Sequence, residues 1–337
     1  GPVRCLVLGL GRTMNRREFI KVIAGSVVAA EPRGAFAQTP PKQLRIGVVA
    51  GISRGLWDPI ELGLRELGYV DGQNFTIEFI NLEGQIGRYP EAMKELVQRK
   101  VDILVAAGPE IALRSALGAT DTLPIVMVAL DYDPLALGYV TSLAKPASNV
   151  TGLFLQQIEQ AAKRVQLMKE AFPQLQAATV FWDRISADQW QAARSAGETF
   201  GFRLAGIELR DTPYDYDGAW ANVPPDHRSA LMVSLSPLFF SDRQRIADFA
   251  LRHRVASMFA VREFVDAGGL LSFGVSFATI GRRTAAYLDR IAKGAKPADL
   301  PIEQPTKFDL VVNLKTAKAI GVEIPQSILL RADEVIE

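Results

Sequence analysis

LRIGVVAG, residues 44–51, decides how the rest of this chain is read. A short apolar run with β-branched Ile46, Val48 and Val49, ended by Gly51, is the pattern of a strand buried on both faces of a parallel sheet; a half-exposed strand would alternate polar and apolar. Working outward, residues 58–67 place apolar side chains at helical spacing, and Gly68 supplies a C-cap. Residues 75–80 are β-rich, 88–100 read as a helix, 101–107 as a strand ending at Gly108, 110–119 as a helix and 124–130 as another buried strand. Strand–helix alternation of this kind implies a parallel sheet with helices on both faces.

A second series starts near Ile158. Helix 158–171 leads to strand 177–182, helix 187–200 to strand 203–209, and strand 230–235 to helix 242–253. Strands 256–260 and 270–274, helix 280–293, a late strand at 308–312 and a short helix at 314–320 complete it. Residues 210–226, rich in Asp, Pro and Tyr, read as a surface loop. The expected fold is α/β, with two doubly wound, Rossmann-like lobes facing each other across a cleft.

The N-terminal region has a different pattern. Arg16 and Arg17 precede a mostly apolar stretch, 19–30, and Ala35-Phe36-Ala37 offers an A-x-A cleavage site before Gln38. The stretch is too short to span a bilayer, which takes about 20 apolar residues. Residues 16–21, RREFIK, resemble the twin-arginine export signal. Residues 1–37 are therefore read as an upstream segment and export leader, and the periplasm is the expected destination. Gly9-Leu10-Gly11 lacks the third glycine and the helix of a dinucleotide fingerprint.

The whole chain has 38 basic and 37 acidic side chains; without residues 1–37 it has 32 basic and 35 acidic. No basic patch argues for a nucleic-acid partner. The only cysteine, Cys5, lies in the leader region, so the remaining 300 residues have no disulfide, thiolate metal site or cysteine nucleophile.

Catalytic signatures are thin. The two histidines, His227 beside a Pro-Pro-Asp turn and His253 in Arg-His-Arg at a helix end, are explained by local structure. No His/Asp/Glu metal spacing and no Walker loop occurs. Asp131-Tyr132-Asp133 offers paired carboxylates, but Pro134 makes turn chemistry an equal explanation. No catalytic residue, metal or cofactor is assigned, and the chain is not read as an enzyme.

A binding site is better supported, because open α/β sheets take ligands outside the carboxyl ends of their strands. The residues there are Ser53, Arg54 and Trp57 after the first strand, Gly108 and Glu110 after the third, and Asp131 and Tyr132 after the fourth. Phe154 lies at the change of domain. The second series contributes Trp182 and Asp183, Ser236 and Phe239, Arg262 and Glu263, and Ser276. Several aromatics with a few hydroxyls and charges suit a small, partly apolar ligand.

Five longer blocks carry a family resemblance: GLRELGYVDGQNFTIEF (63–79), VDILVAAG (101–108), NVTGL (149–153), REFVDAGGLLSFG (262–274) and GAKPADLPIEQPTKFDLVVNLKTAKAIG (294–321). From about Leu44 to the C-terminus the chain resembles ABC-transporter substrate-binding proteins of the tryptophan/tyrosine-binding type. The resemblance implies a type I periplasmic binding fold, with one lobe at 43–150 plus about 279–305. The second lobe and hinge segments would take 151–278 plus about 306–337. It also implies a monomer that captures an aromatic amino acid or aromatic or carboxylic acid and delivers it to ABC permease and ATPase subunits. Arg54, Arg262 or a helix N-terminus would then hold a carboxylate; Trp57, Phe154, Trp182 and Phe239 would wall a ring; Glu110, Asp131 or Asp183 would accept an amine. The chain departs from the family pattern at Asp131-Tyr-Asp-Pro134, where Gly-Asp-Pro is frequent, and at Ser236-Pro237, where a Pro-Asp-Pro-like turn is frequent. Two other readings of the fold remain open, a glycosyltransferase- or reductase-like enzyme and a ligand-sensing receptor domain.

Overall fold

The computed structural model describes residues 43–51 and 57–337. The segment expected to be an export leader, residues 1–37, and Ser53 and Arg54 lie outside the described residues. The chain opens with β1 (Leu44–Ala50), α1 (Trp57–Glu66), β2 (Phe75–Asn81), α2 (Tyr89–Gln98), β3 (Ile103–Gly108), α3 (Glu110–Ala119), β4 (Ile125–Ala129) and β5 (Val150–Phe154). It continues through α4 (Gln157–Ala171), β6 (Ala177–Trp182), α5 (Ala187–Phe200), β7 (Arg203–Glu208), α6 (Tyr216–Ala221) and β8 (Ala230–Val233). Then come α7 (Pro237–Ser241), α8 (Arg243–Arg252), β9 (Ala256–Phe259), α9 (Glu263–Asp266) and β10 (Leu271–Gly274). Last are α10 (Phe277–Ala292), β11 (Ile302–Glu303), β12 (Asp309–Asn313), α11 (Leu314–Ile320), α12 (Gln326–Leu329) and β13 (Glu334–Ile336).

Two sheets result. The first has strand order β11-β5-β4-β3-β1-β2 and the second β13-β12-β10-β9-β8-β6-β7. Every pairing is parallel except β10 with β12. The central strands β4 and β5 are buried along their whole length, as continuous apolar runs require. The edge strand β2 is only half-buried and carries Glu78, which pairs with Arg45 at 2.8 Å. In each sheet the order reverses around the first strand, between β1 and β3 and between β6 and β8. Such switch points leave a crevice at the carboxyl ends of the strands.

The chain changes sheet three times: at Leu155–Gln156, at Val275–Ser276 and between β11 and β12. β5 pairs with β4, so the first sheet extends to Phe154, past the expected break at 150. Gly152 permits that pairing, since its φ is +133° and a Cβ there would lie 2.0 Å from the Met127 carbonyl oxygen. Arg164 ties two of the crossings together. Its buried guanidinium donates to Gln157 Oε1 (3.2 Å) and the Phe273 carbonyl (3.4 Å). Burial pushes the Arg164 pKa down to about 9, and the group remains charged at neutral pH.

α10 returns to the first lobe, where it packs on α1, β4 and β5. The α1–α10 contact is close because Gly63 faces Ala285 and Gly281 faces Pro59. A Cβ on Gly281 would stand 2.3 Å from the Pro59 carbonyl carbon, which is backbone and cannot swing aside. Gly281→Ala is expected to cost about 1–3 kcal/mol through forced separation of the helices; an unchanged urea midpoint would disprove this.

Residues 210–226 differ from the loop expected. Tyr214, Tyr216, Trp220 and Val223 are buried, and α6 forms within the stretch. Asp215 caps that helix by accepting from the Gly218 N–H at 2.9 Å, while the Tyr216 and Trp220 rings pack against Phe181 and Phe249, mostly edge-on or tilted. The turn-forming residues that suggested a loop here cap a short, aromatic-anchored helix.

Candidate functional site

The ends of β1 and β3, at the first lobe's switch point, form one wall of a cavity that opens to solvent. The β1 wall is Val48 to Gly51, and the β3 wall includes Ala107, Gly108 and Pro109. Gly108, at φ +120°, turns the chain from strand into α3 without a side chain to fill the space. Trp57 and Ile60, from the first turn of α1, add an apolar floor. Tyr89, the first residue of α2, brings its hydroxyl to Gly51, where an added Cβ would stand 3.5 Å from it. Burial is the main cause that raises the Tyr89 pKa, keeping the phenol neutral.

The facing wall belongs to the second lobe. Leu235, Ser236, Pro237 and Phe240 line it, and Phe277 from the start of α10 joins them. The Phe240 and Phe277 rings pack 5.3 Å apart, and the Arg243 guanidinium lies 4.9 Å from the Phe240 centroid. The lobes approach closely, since a Cβ on Gly51 would be 3.9 Å from Pro237 Cβ.

Hydrogen bonds fix the second-lobe wall. Gln189 clamps Leu235 from both sides, accepting from its N–H (3.0 Å) and donating to its carbonyl (2.8 Å). Asp183, buried after β6, accepts from the Ser186 N–H at 3.0 Å and hydroxyl at 2.8 Å. It also accepts from the Tyr214 hydroxyl at 3.2 Å and from the Ser236 hydroxyl. Ser236 in turn caps α7, accepting from the Phe239 N–H at 3.3 Å.

The residues expected from sequence fall into separate places. Trp57, Gly108 and Ser236 line the cavity. Asp131 and Tyr132 are buried just beyond the lining residue Leu130, and each leaves an oxygen unpartnered among the described residues. Asp183 is occupied with its four hydrogen bonds. Glu110 accepts from Tyr139 and pairs with Arg114 at 3.0 Å. Arg262 is drawn to Asp266 (3.1 Å) and to Glu334 of β13, away from the cavity lining. Phe154 and Phe239 are buried in the cores behind the walls. Trp182 stacks on Trp190 with ring centroids 6.3 Å apart. Ser276 caps α10, accepting from the Thr279 N–H at 3.3 Å. Glu263 is half-buried, with one oxygen unpartnered and its pKa raised chiefly by burial.

Tyr89, Pro237, Phe240 and Phe277 were not singled out from sequence. Phe277 and Phe240 each lie one residue beyond an expected site residue, and only Tyr89 had no strand-end signal. Asp133 is used in a turn, accepting from Leu135 N–H at 2.8 Å. Both histidines make surface pairs, His227 with Asp226 and His253 with Asp217, each at 2.9 Å.

Residues 54–336 match the family model described as ABC transporter substrate binding protein. The chain belongs to that family. Among curated proteins it is similar to the tyrosine-binding protein of Clostridioides difficile, with 22% identity over 84% of this chain and 82% of the relative. Among solved structures it is similar to the ABC domain from Streptococcus pneumonia in complex with L-Trp. That match has 26% identity, covers 87% of this chain and 100% of the other, and has a TM-score of 0.75. A conserved domain protein of Vibrio cholerae matches at 22% identity over 87% and 100% of the two chains, with a TM-score of 0.77. The fold is that of the type I periplasmic binding proteins. Among the described residues no helix is long and apolar enough to cross a membrane.

Proposed function

We propose that this substrate-binding protein captures a small aromatic ligand in the interlobe cavity and delivers it to an ABC importer from the periplasm. The observation that carries the reading is an apolar cavity walled from both lobes, with Trp57 and Tyr89 on one side and Phe240 and Phe277 near the other. A flat ring held between such walls contacts both lobes, so its binding free energy favours the closed arrangement over an open one. The three crossings of the chain are the segments about which the lobes would turn, and the Arg164 network lies at two of them. Tyrosine and L-Trp in the names of two relatives agree with an aromatic ligand. Few hydrogen-bonding side chains line the cavity, so shape and apolar contact supply most of the affinity there.

Thermal denaturation with added solutes tests the reading. Ligand at a hundredfold excess over its Kd stabilises the folded state by about 2.7 kcal/mol. Aromatic amino acids are expected to raise the melting temperature, and sugars are expected to leave it unchanged. Stabilisation by nucleotides or sugars with no response to any aromatic compound would defeat the proposal.

A further inference from the structure

Each crossing between the lobes is a place where backbone torsions must change if the lobes turn. At the first crossing the joint is one residue long. Leu155 belongs to the first sheet, donating its N–H to the Ala129 carbonyl at 2.8 Å, and Gln157 begins α4 of the second lobe. Gln156 between them has φ +54° and ψ +39°, the left-handed region in which a β-carbon crowds the backbone. Its side chain makes no capping bond that would offset this. Of the non-glycine residues with positive φ among the described residues, Gln156 is the one at a crossing. Glu83, Lys100, Ala147 and Arg254 lie in turns within one lobe.

A second costly feature holds the far side of this joint. The Arg164 guanidinium is buried and has no carboxylate partner among the described residues; burial is the cause of its lowered pKa. It also points back to the first turn of its own helix, where the macrodipole disfavours a cation. There it donates to the side chain and the carbonyl of Gln157, at 3.2 and 3.4 Å. It donates as well to the Phe273 carbonyl at 3.4 Å, two residues before the second crossing. The Phe273 ring packs on Phe308 of the third, with centroids 6.0 Å apart.

We propose that Gln156 and Arg164 are positioning residues of the hinge: Gln156 takes its left-handed turn when the lobes close, Arg164 holds that turn, and relaxation at Gln156 drives the lobes apart when ligand leaves. This rests on the reading of the cleft as the ligand site. Backbone strain of this kind persists only where surrounding contacts over-determine it. Arg164 supplies such contacts from the second lobe, and a ligand touching both walls supplies more. Without ligand, the strain weighs against closure. With ligand, it is subtracted from the binding free energy, so release is easier than the cleft contacts alone would allow.

Gln156→Asn and Arg164→Lys test the assignment in the full chain. Asparagine enters the left-handed region with a smaller penalty. Gln156→Asn is therefore expected to bind L-tryptophan or L-tyrosine about fivefold tighter in calorimetric titration. Its radius of gyration without ligand, measured by X-ray scattering, is expected to shrink. Lysine keeps the charge of Arg164 but lacks the planar fork that reaches two residues at once. Arg164→Lys is expected to bind about fivefold more weakly and to be more extended without ligand. The double variant is expected to recover the original affinity, a rescue that a loss of folding stability alone would not produce. A Gln156→Asn chain with unchanged radius and affinity, or a more extended one, would overturn the proposal. So would an Arg164→Lys chain whose only change is a lower melting temperature. If neither amino acid binds the unaltered chain, the aromatic-ligand reading fails and the ligand-free radii alone decide the hinge: a smaller one for Gln156→Asn upholds it, and an equal one ends it.

Discussion

Trp57→Ala is expected to weaken capture of an aromatic ligand by roughly a hundredfold, the loss typical of a buried aromatic anchor worth about 2–3 kcal/mol. The indole is 3% exposed at the head of α1, and its N–H donates to Glu61 at 3.2 Å. That bond fixes the ring plane in the cavity wall before any ligand arrives, so little ordering entropy is lost on binding. Truncation also removes core contacts, which by itself costs about 3–5 kcal/mol of folding stability. Trp57→Phe separates the two effects, because it keeps a ring in the wall while giving up the Glu61 bond. Phe240→Ala tests the opposite lobe. If one ligand spans both walls, the double variant should lose less than the product of the single losses, because closure has already failed. Titration calorimetry with L-tryptophan and L-tyrosine reads all four variants. A Kd unmoved by Trp57→Ala would remove the cavity from consideration as the binding site.

Asp183→Ala should give the largest loss of stability among polar substitutions near the cleft, about 3 kcal/mol or more. One carboxylate serves four donors: the Ser186 backbone and hydroxyl, the Tyr214 hydroxyl and the Ser236 hydroxyl. Removing it strands the Tyr214 and Ser236 hydroxyls in a buried setting, where each unmet donor carries its own desolvation penalty, while the Ser186 N–H and hydroxyl keep the Asp183 carbonyl at 3.0 and 3.3 Å. Asp183→Asn keeps the shape and one acceptor oxygen but turns an NH₂ toward two hydroxyls. Hydroxyls can rotate to accept, so the asparagine variant should fall about halfway between. Freed from Asp183, Ser236 and the first turn of α7 should also lose their fixed position against the first lobe. Urea denaturation of both variants measures the stability, and ligand titration measures the wall. A loss below about 1 kcal/mol for the alanine variant would show that water replaces the carboxylate without penalty.

The strand ends were legible because buried parallel strands announce themselves as unbroken apolar runs, and switch points follow from strand order. Trp57, Gly108 and Ser236 stand within reach of such ends, and they line the cavity. The remaining site depends on facts that spacing does not carry. Phe239 and Phe240 are adjacent in a helix of five residues begun by Pro237, and about 100° of helical rotation sends one into the core and the other to the cavity. Arg262 looks like a cation at a strand end until β13, more than seventy residues later, brings Glu334 beside it. Tyr89 opens a helix after an edge strand, so no strand-end rule points to it. Residues 214–223 mislead in the other direction, with turn-forming aspartates and proline around rings that are buried.

The three crossings also govern the order in which the protein can be finished. α10 and β11 complete the first sheet's layer, yet they are made after β10 of the second. Until residues 302–303 emerge, β5 has a bare edge of backbone donors and acceptors, and the face that α10 covers is open. The second sheet waits still longer for β12 and β13. Neither half can therefore mature alone on a growing chain, because each waits for strands made after β10. A stalled or clipped product ending before residue 302 would carry an exposed apolar strand edge, the kind of surface on which chains stick to one another.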